Sequence, residues 1–386
     1  WLKRPRNRSP IFLFSAARAM TATISVGIVG FGLVGKELTA QIQARKDALL
    51  AEGLSVEIVA VCRSKVMRLG SLDASEEAAD LSKFSIFMKS VPGTRVVVDC
   101  TADDAPADLY ASWLLDGACV VTPNKKAGSG PLDRYKAIRA AQKSAGTKFF
   151  CEATVGAGLP VITTLQDMMR SGDRVQRIEG ICSGTLSFLF NEFSADKPWS
   201  ATVSAAAEAG FTEPDPRDDL SGTDVQRKVT ILARECGLDL ELSDVSVESL
   251  VPAPLRDWEP TEEESAKGLA AAFVEKIAPY DGEMTDRATA AAAKGEILRY
   301  VGAIDLTKGS ASVELRSLPN THPFAATQHA DNIISFTTER YTPRPLVVQG
   351  PGAGAAVTAA GAFGDILRAA MCRPSTAAVP DALVGA

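Results

Sequence analysis

Residues 24–42 read ISVGIVGFGLVGKELTAQI, and no other stretch constrains the fold as strongly. Val26, Gly27, Ile28 and Val29 form the apolar, β-branched run of a buried parallel strand. Gly30, Gly32 and Gly35 follow with G-x-G-x-x-G spacing, and then a helical pattern begins. Each glycine has a physical task. Gly30 makes the tight turn, Gly32 lets backbone approach a pyrophosphate, and Gly35 allows close packing of helix on strand. The helix N-terminus then faces the phosphate charge. A strand before the glycines and a helix after them identify a dinucleotide-binding unit. The tip of the second strand, read over 55–61, selects the cofactor. A carboxylate there would bind the ribose hydroxyls of NAD. This chain has Cys62-Arg63-Ser64-Lys65 instead, so Arg63 and Lys65 are placed to hold a 2′-phosphate. NADP is the expected cofactor, with NAD as the second choice; two solvated surface cations are the plainer alternative.

Strands and helices alternate beyond this point. A strand over 94–101 ends in Thr101, a helix spans 105–115, and a short buried strand covers 118–122. That spacing predicts parallel β-α-β units in a doubly wound sheet, with ligands at the carboxyl ends of the strands. Thr101 and the segment Thr122-Pro123-Asn124-Lys125-Lys126 therefore fall at the cofactor edge. The character changes after Phe150. A glycine-rich loop (151–160) precedes a helix over 161–171 and a strand over 175–181. A helical stretch is expected over 285–300, and antiparallel strands over 310–318 and 332–340. Residues 345–354, PLVVQGPGAG, read as a strand and a second glycine turn before an Ala-rich helix, as if the nucleotide unit returned. The expected fold is α/β, a Rossmann-type doubly wound parallel sheet with an inserted α+β substrate and dimerisation domain. Residues 21–151 plus 345–373 would form the first unit and 152–344 the second, with 1–20 and 374–386 outside both.

Composition narrows the function. A chain of 386 residues with 46% hydrophobic content can bury a large core in about two domains. Its net charge of −6 and lack of a basic stripe argue against nucleic acid, and no apolar run is long enough for a membrane span. Seven cysteines without a C-x-x-C pair read as reduced, intracellular thiols. Two histidines, His322 and His329, make a Ser-His-Asp triad or a His-rich zinc site a poor fit, so proton transfer falls to Lys, Asp or Glu. Before Glu37 the chain carries Lys3, Arg4, Arg6, Arg8, Arg18 and Lys36 and no acid. Two readings stand: a transit-type segment, which implies a plastid or other organelle, or residues ahead of a start at Met20 in a cytoplasmic protein.

The densest chemistry lies in residues 211–228, FTEPDPRDDLSGTDVQRK. Asp224 and Lys228 are four apart on a predicted helix and share one face, so both can address one small polar ligand. A charged surface turn leading into a salt-bridged helix is the competing account. In CEATVGAGLP (151–160) a single carboxylate, Glu152, sits among backbone carbonyls. Oxygen-only ligation of that kind suits a hard monovalent cation, and capping of the following helix is the alternative.

These segments together, GFGLVG, TPNKK, EATVGAGLP, SGTLSFLFNEF, GFTEPDPRDDLSGTDVQRK and GPGAGAAVTAAG, resemble homoserine dehydrogenase over residues 24–371. The resemblance implies reduction of L-aspartate 4-semialdehyde to L-homoserine with NADPH or NADH, on the route to threonine, methionine and isoleucine. It implies proton transfer by Lys228, a second functional lysine at Lys125, and substrate contacts from Glu213 and Asp224. Asp219 would orient the reacting end or the lysine. It points to Phe31, Val34, Gly35, Thr101, Lys125, Gly210 and Gly354 for the cofactor. It also implies Na⁺ held by Glu152 and the carbonyls of Val155, Ala157 and Leu159, and a homodimer; many family members carry a C-terminal amino-acid-sensing domain, but with about fifteen residues after Met371 none is expected here. Two rival readings stay open: another semialdehyde dehydrogenase using Cys151 as nucleophile, and a non-catalytic nucleotide sensor.

Overall fold

The computed structural model describes residues 21–371, so the expectations for 1–20 and 374–386 lie outside the described residues. Seven strands form the first sheet: β1 (Ala22–Val29), β2 (Leu54–Cys62), β3 (Val66–Leu69), β4 (Glu77–Ala78), β5 (Thr94–Asp99), β6 (Ala118–Val121) and β7 (Phe149–Phe150). Their spatial order is β4-β3-β2-β1-β5-β6-β7. β1 pairs parallel with β2 and β5, and β6 and β7 extend the parallel run. β1 is buried from Ile24 onward because helices cover both faces, which is why it reads as a continuous apolar run. One feature escaped the sequence reading. β2 turns back at Arg63–Lys65 into the antiparallel β3, so the two cations ride on a hairpin tip.

The second sheet takes β8 (Val175–Ile181), β9 (Ser246–Val247), β10 (Glu296–Asp305), β11 (Ser310–Pro319), β12 (Asp331–Thr338) and β13 (Leu346–Pro351), in the order β13-β12-β8-β10-β11-β9. Its pairings are antiparallel except β11 with β9. Two expectations need correction here. The helix expected over 285–300 runs Asp281–Ala292; Gly295, at φ +69°, turns the chain, and 296–300 open β10. The strand at 346–351 does not return to the nucleotide sheet but pairs with β12 at the edge of the second. Its residues alternate between partly buried and exposed, as an edge strand with one packed face does, and a central parallel strand would be buried throughout. The return begins only with helix Ala355–Ala370. There Ala359, Ala362, Ile366 and Ala369 are fully buried in one core with Ile24, Val26, Ile28 and Leu38. The boundary at 345 thus lies about ten residues too early.

Helix Thr223–Glu235 lies across the second sheet. A Cβ on Gly302 of β10 would stand 2.5 Å from Val229, so only glycine admits this approach. At the other end of the helix, the buried Arg234 guanidinium donates to the carbonyls of Gly128, Gly130 and Leu240. That clamp ties the helix to the turn that follows Lys125.

Candidate active site

The first glycine loop has the geometry its sequence requires. Gly30 has φ +87°, and a Cβ there would lie 2.7 Å from Thr101 Cγ2. A Cβ on Gly35 would stand 2.4 Å from the Gly30 carbonyl, so helix Leu33–Ala51 could not sit where it does. Gly32 faces open space, with nothing within 4 Å of a Cβ. This is the place a pyrophosphate would take at the helix N-terminus. Phe31, Lys36, Arg63 and Arg68 line a cavity of about 190 Å³ beside this loop. Arg63 and Lys65 are exposed, and neither has an ion-pair partner among the described residues; Lys65 lies outside the cavity.

A buried polar network that sequence reading missed holds the adjoining strand tips. Asp99 is fully buried at the end of β5. It accepts hydrogen bonds from Tyr110 Oη (2.6 Å), Asn124 Nδ2 (2.9 Å) and the Thr101 backbone N–H (2.8 Å). Thr122 Oγ1 donates to the Asp99 carbonyl at 2.7 Å. These bonds fix Thr101 and the loop carrying Lys125.

A cleft of about 330 Å³ lies between the two halves, lined by Thr101, Asn124 and Lys125 on one side and Asp218, Asp224 and Arg227 on the other. Asp224 sits between two lysines. Its Oδ2 is 2.7 Å from Lys228 Nζ and its Oδ1 is 3.3 Å from Lys125 Nζ. Lys228 Nζ also donates to the Cys182 carbonyl at 2.6 Å. Burial opposes ionisation of Asp224, but the two ammonium groups outweigh it and hold the carboxyl well below the usual range. For Lys228, burial alone would lower the pKa; the Asp224 carboxylate overrides it and the net direction is upward. The lysine is therefore held as the ammonium. Asp219 shifts upward, mainly by burial, with the charges of Glu213 and Asp224 adding to it. It accepts the Glu213 backbone N–H at 2.8 Å, while the Glu213 side chain is exposed. Asp215 caps helix Pro216–Leu220 and pairs with Arg217 at 2.7 Å, a turn-building role.

Comparison with known proteins decides the family. Residues 160–367 match the family model "Homoserine dehydrogenase", and residues 30–152 match "Homoserine dehydrogenase, NAD binding domain". The homoserine dehydrogenase of Emericella nidulans is 41% identical over 90% of this chain and 99% of its own length. The chain belongs to the homoserine dehydrogenase family. The Saccharomyces cerevisiae homoserine dehydrogenase is 38% identical over 91% of this chain and 99% of its own. The chloroplastic bifunctional aspartokinase/homoserine dehydrogenase 2 of Arabidopsis thaliana is 48% identical, and this chain spans 38% of that protein's length. A Candida auris crystal structure described as of unknown function superposes with TM-score 0.83 at 36% identity, covering 90% of this chain and 98% of that one. An archaeal homoserine dehydrogenase in complex with NADPH shares the fold, with TM-score 0.66 at 22% identity over 91% of this chain and 99% of that one.

Membership in an NAD(P)-dependent oxidoreductase family agrees with the state of Cys151. Its thiol is buried and pushed up to about 12, chiefly by burial, so it offers no thiolate. Glu152 is also buried. It accepts the backbone N–H groups of Ile162 (2.7 Å) and Thr163 (2.9 Å), capping helix Val161–Arg170 from outside. The loop carbonyls expected beside it belong to an unusual backbone, with Ala157 at φ +53°. The Leu159 carbonyl accepts the Val161 N–H at 2.8 Å. Next to Glu152, burial and the Glu152 charge raise Asp365 to about 7. Gly354 caps the N-terminus of helix Ala355–Ala370. Gly210, at φ +74°, ends the turn after helix Trp199–Glu208 and does not line the cleft. No helix among the described residues is long and apolar enough to cross a membrane.

Proposed function

We propose that the chain interconverts L-aspartate 4-semialdehyde and L-homoserine in the synthesis of threonine, methionine and isoleucine. The observation that carries this reading is Asp224, in the cleft lining, held between Lys125 and the buried Lys228. The open face of Gly32 fits a dinucleotide, whose nicotinamide ring supplies or accepts the hydride. Lys228 gives its proton to the developing alkoxide oxygen during reduction and takes it back during oxidation. Lys125, on the nucleotide side, stabilises the same oxygen. Both Asp224 oxygens already face lysine, so Glu213 takes the substrate ammonium first, with Asp219 beside it and Asp224 completing the site. Phe31, Val34, Thr101 and Gly354 contact the cofactor. Lys36, Arg63 and Arg68, with Lys65 nearby, favour NADP through its 2′-phosphate.

Two further assignments belong to this reading. A monovalent cation, Na⁺ by preference, lies in the 152–159 loop. The carbonyls of Val155, Ala157 and Leu159 would hold it, with Glu152 lending the lone pairs its capping bonds leave free. The working enzyme is a homodimer built through the second sheet.

The test follows reduced-nicotinamide absorbance with L-homoserine and NADP⁺ or NAD⁺, comparing wild type with Lys228→Ala after both are shown to bind cofactor. Turnover that collapses in the variant supports the reading. Wild type that binds cofactor yet leaves homoserine untouched overturns it and favours a nucleotide sensor.

A further inference from the structure

Asn332 stands near the start of β12 with no exposed surface. Neither its Nδ2 nor its Oδ1 has a hydrogen-bond partner among the described residues. A primary amide carries two donors and an acceptor, and burying all of them unmet is costly. Such a group in a native structure calls for an explanation, and a partner supplied in another state of the molecule is one.

The surroundings show where that partner would come from. Asn332 pairs in register with Gly350 of β13, and a Cβ on Gly352 would lie only 2.0 Å from Nδ2. The Gly352–Gly354 turn that leaves β13 therefore rests directly on the amide, and no cavity described above reaches it. On the other side, the neighbouring rung joins Ile333 to Ile181 of β8. The residue after Ile181 is Cys182, whose carbonyl holds Lys228. Asn332 thus lies between the strand end that anchors the proton donor and the glycine turn that starts helix Ala355–Ala370. Gly354, at φ +112°, holds a conformation that glycine adopts freely, so this turn can re-seat at low cost.

We infer that Asn332 is a positioning residue for the cofactor: on binding, the Gly352–Gly354 turn shifts so that its peptide groups hydrogen-bond the Asn332 amide. Substrate sheet and cofactor turn are thereby locked together. The inference rests on the reading that this turn contacts the cofactor. It predicts a specific split. The amide is required in the complex, so an apolar side chain of similar size should weaken cofactor binding while the fold without cofactor tolerates it.

The experiment uses the full chain with Asn332→Leu. It measures melting temperature without cofactor, NADPH affinity by fluorescence titration, and hydrogen exchange of the 346–358 backbone with and without NADPH. The expected result is a cofactor-free melting temperature equal to or above wild type with NADPH affinity weakened about tenfold, the scale of one buried hydrogen bond. The NADPH-dependent protection of 346–358 seen in wild type would be lost. A lower melting temperature with unchanged affinity would show the amide to be purely structural and overturn the inference. If stability and affinity both fall, exchange decides: protection retained on NADPH binding overturns the inference, and protection lost supports it. Wild type alone is informative should the variant fail to fold. NADPH binding without any protection of 346–358 means the turn does not meet the cofactor, and the underlying reading fails with it. Equal protection in wild type and variant sinks only the role of Asn332.

Discussion

The chemistry at residue scale turns on one carboxylate shared by two ammonium groups. Asp224 is depressed and Lys228 raised, so the linkage has a definite sign. The Asp224 contribution to stability is present above the unfolded value near 3.9 and is lost as pH falls through its lowered folded value. The Lys228 contribution is present below about 10.4 and is lost only as pH rises through its raised folded value. Between these limits the pair stabilises by a constant amount. Asp224→Asn should lower the denaturation midpoint at pH 6, and by less at pH 9, where a Lys228 without its partner can shed its proton; no loss at pH 6 would contradict the pairing. The same substitution removes the Asp224 charge that overrides burial, leaving only weaker charges such as Asp219 against it, so the Lys228 pKa falls. The alkaline limb of homoserine oxidation, where the base must be free, should then move to lower pH in a kcat/KM profile. Lys228→Ala should cost about 10²–10⁴ in kcat, the usual worth of a positioned proton donor, with NADPH affinity little changed. Arg63→Ala should reduce NADPH affinity and spare NADH, read as the ratio of the two KM values; equal loss for both would remove Arg63 from phosphate recognition.

At the scale of elements, the glycine loop separates folding from binding. Gly35→Ala drives a methyl into the Gly30 carbonyl and should lower the melting temperature. Gly32→Ala meets nothing within 4 Å and should fold normally yet bind cofactor poorly. A calorimetric scan of both, with and without NADPH, checks the contrast. Asp99→Ala strips the acceptor from Tyr110, Asn124 and Thr101 together and should cost on the order of 3 kcal/mol, measured by chemical denaturation. The glycine loop was legible in the sequence because strand, turn and helix are local and consecutive. The Asp224–Lys228 face was legible for the same reason, being one helical turn. The Asp99 network was not, since its members are 11 and 25 positions away and only the fold brings them together. β13 was misplaced for a related reason. A short apolar run followed by a glycine turn and a helix looks alike in either sheet, and the choice of partner strand is tertiary. Residues 296–300 were drawn into the preceding helix because β10 is buried on both faces and so lacks the alternation of a half-exposed strand.

Taken as a whole, the molecule is two sheets meeting at a cleft, and the second sheet has two ends. β9 closes one end with two residues. β13 closes the other with six, LVVQGP, and none of them is charged. Natural proteins blunt an exposed edge with charge, shortness or a cover, and among the described residues this edge has only Pro351 at its end. Val347 is 39% exposed there. An uncharged edge of this length can pair with its own copy across a two-fold axis, because an antiparallel strand is self-complementary. Sedimentation should accordingly give a mass about twice the 40.7 kDa of one chain. Val347→Lys would bring like charges close to the axis and should shift the population toward monomer without changing NADPH affinity. A single-chain mass in the wild type would end the dimer proposal. A dimer that survives Val347→Lys would move the interface to another surface, and the β13 edge would then need a different cover.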